Sequence, residues 1–123
     1  MQMKKKTTRN QAPFFKWVRR QRQCCYPMRA IYAVPNSNTS KKIMGMKAEG
    51  LESGMPSINM DFPSGKYHGL RIENKVEGNK LSPEQAVWHE MLIRNGYKVV
   101  TCYSLEEDKQ AVIDYLKLSH NWI

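Results

Sequence analysis

The sequence predicts an α/β fold in which a mixed β-sheet carries helices on both faces. Segments with helical and with strand periodicity alternate along the chain in the order α, β, α, β, β, α, β, α. Capping and turn residues separate these segments, and 41% of the 123 residues are hydrophobic, which suffices for one modest core. Helices and strands mixed in this order are typical of a layered α/β domain.

The N-terminal third predicts a helix, a strand and a second helix. The first helix begins at Pro13, because proline is tolerated in the first turn of a helix. Four of its residues follow at helical spacing: Phe14, Trp17, Val18 and Gln21. Met28–Val34 is rich in β-branched and aromatic residues and predicts a strand. A loop at residues 35–40 leads to a helix over Lys41–Glu49, which Gly50 ends.

The remaining three strands are predicted in the second half of the chain. Ile58–Phe62 and Leu70–Val76 are strand-like and close enough along the chain to pair as a hairpin, with a turn at Pro63–Gly65. Tyr97–Tyr103 is the last predicted strand.

Two helices are predicted to begin with capping boxes, in which an N-cap serine and a residue three positions later satisfy each other's backbone N–H groups. The two pairs are Ser82 with Gln85 and Ser104 with Glu107. Pro83 fits the first helical position after Ser82, and Gly96 ends that helix. The second of these helices continues to about Leu118.

The charge of the chain is concentrated in its N-terminal part. Residues 1–48 contain 12 lysines and arginines and no acid, whereas residues 49–123 contain 8 basic and 11 acidic residues. We predict a flexible basic arm over residues 1–8 and a single domain over residues 9–123. A basic arm favours a polyanionic partner, and nucleic acid first, over a merely solubilising tail. The residues expected to contact phosphates are Lys4, Lys5, Lys6, Arg9, Arg19, Arg20, Arg22, Lys41 and Lys42.

Other bulk features point to a cytoplasmic protein without zinc. No signal peptide or membrane-spanning run is recognisable in the sequence. The odd set of cysteines, Cys24, Cys25 and Cys102, argues against a disulfide framework and lacks the paired spacing of a zinc site. No helix with a clean apolar face carries the lysines, so a membrane surface is not the expected partner.

The tripeptide Glu73-Asn74-Lys75 lies at the end of a predicted strand. Residues two apart on a strand share a face, so Glu73 and Lys75 are expected to lie together with Arg71. A carboxylate can hold Mg²⁺, and a nearby ammonium can orient a water molecule for attack on a phosphate. In isolation, however, the tripeptide is more typical of a solvent-facing ion pair.

Longer segments in the same order and spacing resemble the virus-type replication-repair nuclease (VRR-NUC) domain. They are FFKWVRRQ, YPMRAIYAVPN, MKAEGLESGMP and GMPSINMDFPSGKYHGLRIENKVEGNKLSPEQAVWHEMLIRNGYKVVTCYSLEE, which together lie within about residues 11–118. This domain is a branch of the PD-(D/E)xK, restriction-endonuclease-like superfamily. The resemblance implies a three-layer sandwich with a small mixed sheet between helices. It also implies a metal-dependent DNA endonuclease that cleaves branched DNA, such as a four-way (Holliday) junction, as a homodimer in a bacterial or phage-infected cell.

The resemblance also implies roles for individual residues. Glu73 and the backbone carbonyl of Asn74 would bind Mg²⁺ or Mn²⁺, Lys75 would position the attacking water, and Gln85 would support the site. Ser57 stands where the family has an acid after Gly-x-Pro. The first helix also lacks the acid that often assists in such enzymes.

These departures leave several alternatives open. The neighbouring acids Asp61, Glu49 and Glu52 could replace the missing ligand, although Asp61 is about 13 Å from Ser57 along an unbent strand of about 3.3 Å per residue. The missing helix acid favours natural decay of the site over an engineered change at Ser57. Besides a nuclease, the chain could be an inactive DNA-binding or decoy protein, or a protein inhibitor. His89 is expected to contribute only to helix packing.

Overall fold

The computed structural model describes residues 8–34, 48–50 and 52–119 of the chain. In this part of the chain, the sheet has four strands: β1 Ile31–Ala33, β2 Ile58–Met60, β3 Leu70–Asn74 and β4 Lys98–Cys102. The helices are α1 Ala12–Gln21, a 3₁₀ helix Tyr26–Ala30, α2 Pro83–Arg94 and α3 Leu105–Lys117. The predicted α/β class is confirmed.

The four strands form one mixed sheet in the order β1-β2-β3-β4. β2 pairs antiparallel with both β1 and β3, which confirms the predicted hairpin, and β3 pairs parallel with β4 through the crossover helix α2. β3 therefore has a hydrogen-bonded neighbour on each side, and all five of its residues are buried.

Helices cover both faces of the sheet. α1 and α3 contact each other, and α3 packs on β3 and β4. Their shared core includes Leu70 and Ile72 from β3 with Val18 and Leu116 from the helices. The residues of β3 that point to the opposite face include Glu73, which contacts α2. The sheet thus lies between two helical layers.

The predicted strand Met28–Val34 is wrong in its first half. A 3₁₀ helix occupies Tyr26–Ala30, and only Ile31–Ala33 is a strand. Pro27 lies in the first turn of that helix, where its fixed φ and missing N–H are tolerated. β2 offers only three residues for pairing, so β1 is limited to the same length.

The other predicted elements agree with the structure where it describes them. The three later strands are shorter than predicted, and the helix predicted over residues 41–49 lies mostly outside the described residues. The first capping box has both of its bonds between Ser82 and Gln85. In the second, Ser104 accepts from the Glu107 N–H but donates its hydroxyl to the Glu107 carboxylate, so only the N-cap half is formed. Gly96 has a φ of 90° and ends α2 as predicted.

Two leucines that lie close together in the chain should differ strongly in how much they contribute to the free energy of unfolding. Leu116 is fully buried in the core, whereas Leu118 is 53% exposed just after α3. We expect Leu116→Ala to lower the free energy of unfolding by about 2–5 kcal/mol, because it removes buried methyl groups and leaves a cavity. Leu118→Ala is the matched control and should cost much less in the same urea titration. Equal losses would contradict this assignment of the core.

Candidate functional site

Glu73 and Lys75 lie at the carboxyl end of β3 and are both buried. Each is 3% exposed, so the interpretation of this tripeptide as a solvent-facing ion pair is wrong. Charged side chains are rarely buried unless they are paired or have a function. The structure therefore singles out this strand end as the candidate site.

The carboxylate of Glu73 contacts a histidine on α2. His89 Nε2 lies 3.0 Å from Glu73 Oε1, and the two side chains are 10% and 4% exposed. This contact compensates for part of the cost of burying the carboxylate and holds it toward α2. The expectation that His89 contributes only to helix packing is therefore incomplete. The two residues are 16 positions apart in the chain, so no local pattern pairs them.

Ser57 immediately precedes β2 and lies at the same end of the β2–β3 ladder as Glu73, because Ile58 is the Cα partner of Ile72. Ser57 is 4% exposed, and its hydroxyl donates a hydrogen bond of 2.7 Å to Gln11 Oε1. The same oxygen accepts a bond of 3.1 Å from Asn74 Nδ2. We refer to Ser57, Gln11 and Asn74 as the Ser57 cluster.

Arg9 fastens the segment before α1 to the ends of β3 and β4. Its backbone N–H donates to Asn74 Oδ1, and its backbone carbonyl accepts from Asn74 Nδ2. Its guanidinium donates to the carbonyls of Lys75 and Cys102 and to Asp108 Oδ1, with the ion pair at 2.9 Å. Its Nε and Nη2 are thus directed at protein acceptors, and the contact of Arg9 with phosphates stays a prediction.

The acid in this ion pair is buried at the start of α3. The Asp108 side chain is 1% exposed. Burial raises the pKa of its carboxyl above the ordinary value, and the hydrogen bond and charge of Arg9 oppose that rise. Burial, together with Asp108, also raises the pKa of the Cys102 thiol to about 12, so this cysteine is a neutral thiol at pH 7.

The side chain of Gln85 is bound within its own helix cap. Its Oε1 accepts from the Ser82 N–H at 2.9 Å, while its own N–H donates to Ser82 Oγ. The capping role is thus present, and the supporting role in a cation site stays a prediction.

The donor groups at this site do not fit Mg²⁺. This ion prefers hard oxygen ligands, usually including one or two carboxylates with waters. Here Glu73 is one carboxylate, already bonded to His89, and Ser57 and Gln11 are neutral and bonded to each other. Within the described residues, no group of three histidines, cysteines or acids is arranged to hold a metal. The backbone carbonyl of Asn74 stays a predicted ligand.

The three acids considered as replacements do not complete the site. Asp61 is 55% exposed and lies 3.1 Å from Arg71. Glu49 and Glu52 are exposed. Solvated or ion-paired carboxylates of this kind give no second ligand beside Glu73.

Besides Arg9, the residues predicted to contact phosphates fall into three groups. Arg19 and Arg20 are exposed on α1, and Lys16 shares their side of the helix at a spacing of three and four residues. We call these three residues the α1 basic face. Arg22 instead donates to the carbonyls of Met28 and Ile31 and fixes the turn after α1. Lys4, Lys5, Lys6, Lys41 and Lys42 lie outside the described residues.

Comparisons with known proteins agree with the fold and the sequence pattern. The family model of the VRR-NUC domain matches residues 2–106. A solved structure described as a VRR_NUC domain protein is 26% identical, covers 95% of this chain and 93% of its own, and superposes with a TM-score of 0.71. The search of curated proteins finds no match. In the part of the chain that the structure describes, no helix is long and apolar enough to cross a membrane.

The buried ion pair predicts a pH-dependent loss of stability in Arg9→Met. Without the guanidinium, the folded-state pKa of Asp108 rises further above its ordinary value of 3.8. A carboxyl whose pKa is raised by folding destabilises the fold increasingly as the pH rises from the unfolded value through the folded one. We expect a loss of about 3–5 kcal/mol at pH 7 and a smaller loss near pH 4.5, measured by urea unfolding.

Arg20→Met is the control for this experiment, because Arg20 is exposed on α1. It removes the same charge and should change stability little at either pH. A loss in Arg9→Met that is equal at both pH values would show that its carbonyl hydrogen bonds, and not the ion pair with Asp108, carry the effect.

Proposed function

The chain belongs to the VRR-NUC family of nuclease-fold, DNA-processing domains, and from that premise we propose that it binds branched DNA without hydrolysing it. The observation that carries the proposal is the 2.7 Å hydrogen bond between Ser57 and Gln11. Two neutral side chains satisfy each other at the place where the family has an acid. One carboxylate with neutral donors attracts a divalent cation weakly.

The presence of Glu73 and Lys75 is compatible with a site that binds DNA without hydrolysing it. Both are buried in the central strand, and Glu73 has a partner in His89. Removing one partner of a buried polar pair leaves an unsatisfied group and costs stability. The fold can therefore depend on these residues after hydrolysis is lost.

DNA binding is supported by the distribution of charge. The α1 basic face presents Lys16, Arg19 and Arg20 on an exposed helix surface, and residues 1–48 contain no acid. Basic side chains of this kind bind the phosphate backbone and do not distinguish one base sequence from another. The residues of the predicted basic arm are joined to the domain at Arg9, which is anchored next to Lys75. A homodimer would present two such surfaces to a four-way junction, whose two-fold symmetry matches that of a dimer.

A second candidate is the metal-dependent, structure-selective endonuclease that the family implies. The observation in its favour is the burial of Glu73 and Lys75 together at one strand end, where the family places its hydrolytic pair. This candidate requires a further ligand beyond the donors described above.

Cleavage of a labelled four-way junction separates the two candidates. We expect the unchanged chain to bind the junction equally in EDTA and in Mn²⁺, and to leave it intact in Mg²⁺ or Mn²⁺. Glu73→Gln keeps the shape of the side chain and serves as the control for contaminating nuclease. Cleavage by the unchanged chain that disappears in Glu73→Gln would establish the endonuclease and reject the silent binder.

The salt dependence of junction binding tests the α1 basic face. In Arg19→Gln/Arg20→Gln, the slope of log affinity against log salt should fall by about 2, since each phosphate contact contributes about 0.9. Arg94→Gln/Lys117→Gln is the matched control, because it removes the same charge from exposed positions on α2 and α3. Binding that is indifferent to salt and to both variants would favour a protein inhibitor instead.

A further inference from the structure

Helix α2 carries two exposed apolar side chains on the side that faces away from the sheet. His89 and Leu92 are its buried residues, whereas Val87 is 66% and Met91 is 44% exposed. Because an α-helix has about 3.6 residues per turn, Val87 and Met91 lie one turn apart on the side away from the buried pair. A surface helix normally presents charged and polar residues on that side. The outer side of α2 therefore has the composition of a contact surface.

Two oppositely charged residues bracket this apolar pair. Glu84 and Arg94 are both exposed and extend the row along the same side of α2. The row reads acid, apolar, apolar, base, at intervals of three, four and three residues. Alternating intervals of three and four are the spacing with which one helix packs lengthwise against another. We refer to Glu84, Val87, Met91 and Arg94 as the α2 stripe.

We propose that the α2 stripe binds the α2 stripe of a second copy of this chain, with the two helices antiparallel. The intervals of the stripe are the same when read from either end, while the charges at its two ends are opposite. A two-fold axis perpendicular to the helices therefore brings Val87 of each chain to Met91 of the other. The same axis brings the acid at one end of each stripe to the base at the end of the other.

A parallel arrangement of the two helices is disfavoured by the same charges. It would place Glu84 next to Glu84 and Arg94 next to Arg94, and like charges at this distance are destabilising. The charge pattern thus selects a two-fold symmetric, antiparallel partner, which is what a second copy of the chain supplies. The inference gives an interface to the homodimer of the proposed function, and its role at a DNA junction rests on that function.

Helix α2 also connects the stripe to the candidate site. The side of α2 that faces the sheet carries His89, whose Nε2 lies 3.0 Å from Glu73 Oε1. Two paired α2 helices, with axes about 8–10 Å apart, would therefore hold the two copies of this strand end in a fixed and symmetric arrangement. A four-way junction has the same two-fold symmetry.

The pair of helices is expected to be weak in free solution. A standard interface uses about 20–30 residues from each partner, and exposed ion pairs contribute little. Arg94 also forms an ion pair of 2.7 Å with Glu90 of its own helix, which competes with the contact between chains. A junction that binds two chains raises their effective concentration and favours the contact. Arg94→Gln removes one rim charge without adding repulsion, so it remains suitable as a control for the salt slope.

Charge reversal tests the antiparallel contact. Glu84→Arg gives the stripe a base at both ends, and Arg94→Glu gives it an acid at both ends, so each variant repels its own copies. A mixture of the two variants restores both attractive pairs and should form a heterodimer. Native mass spectrometry counts the chains on a four-way junction, and sedimentation velocity measures association at high protein concentration without DNA. We expect each variant alone to associate about tenfold more weakly than the unchanged chain, and the mixture to regain the association.

The matched controls are Glu106→Arg and Lys117→Glu, which make the same changes of charge at exposed positions on α3. They account for the effect of charge on DNA affinity and should associate like the unchanged chain. The melting temperatures of all four variants should lie close to that of the unchanged chain, because each substituted position is exposed.

Three results would overturn the inference. They are reversed variants that associate as well as the unchanged chain, a mixture that does not regain the association, and an unchanged chain that stays monomeric both in free solution and on the junction. If the unchanged chain does not bind the junction at all, the proposed function fails instead. Formation of the heterodimer without DNA would then still establish the α2 stripe as a contact between two copies of the chain.

Discussion

The attachment of Arg9 to Asp108 is the interaction on which the rest of the site depends. One guanidinium ties α3 to the carbonyls that follow β3 and end β4, and the Arg9 backbone pairs with both polar atoms of the Asn74 side chain. Gln11 follows Arg9 by two residues, so the attachment of Arg9 limits which strand residues the side-chain amide of Gln11 can reach. Breaking the attachment would leave Asp108 as an uncompensated buried charge, which is far more costly than losing a surface ion pair.

β3 combines two environments because its side chains alternate between two covered faces. Leu70 and Ile72 enter the core with α1 and α3, while Glu73 meets His89 on α2. In a strand with one solvated face, an acid and a lysine two positions apart would remain in water. Here both are buried, so each needs a partner or a function. The partner of Glu73 is His89, so burial of the acid depends on how α2 packs on the sheet.

The features that the sequence predicts well are those with local causes. The Ser82–Gln85 capping box, the end of α2 at Gly96 and the β2–β3 hairpin each depend on residues a few positions apart. The features that it misses join distant positions. Gln11 and Ser57 are 46 residues apart, and Arg9 and Asp108 are 99 apart. Neither pairing leaves a periodic signal, because the chemistry appears only when α1 and α3 meet the strand ends. The strand predicted over Met28–Val34 failed for a local reason, since Pro27 favours a helical turn over a ladder.

The proposed loss of cation binding is compatible with retention of the fold, because the neutral side chains of the Ser57 cluster satisfy one another. Two acids facing each other repel when no cation is bound, and that repulsion lowers the stability of the folded chain. A hydroxyl, an amide oxygen and an amide N–H₂ satisfy one another instead. The same helix that carries Gln11 at its first turn exposes Arg19 and Arg20 near its last. Helix α1 therefore joins the strand end that holds the Ser57 cluster to the α1 basic face, and the proposed loss of hydrolysis leaves the geometry of that basic face unchanged.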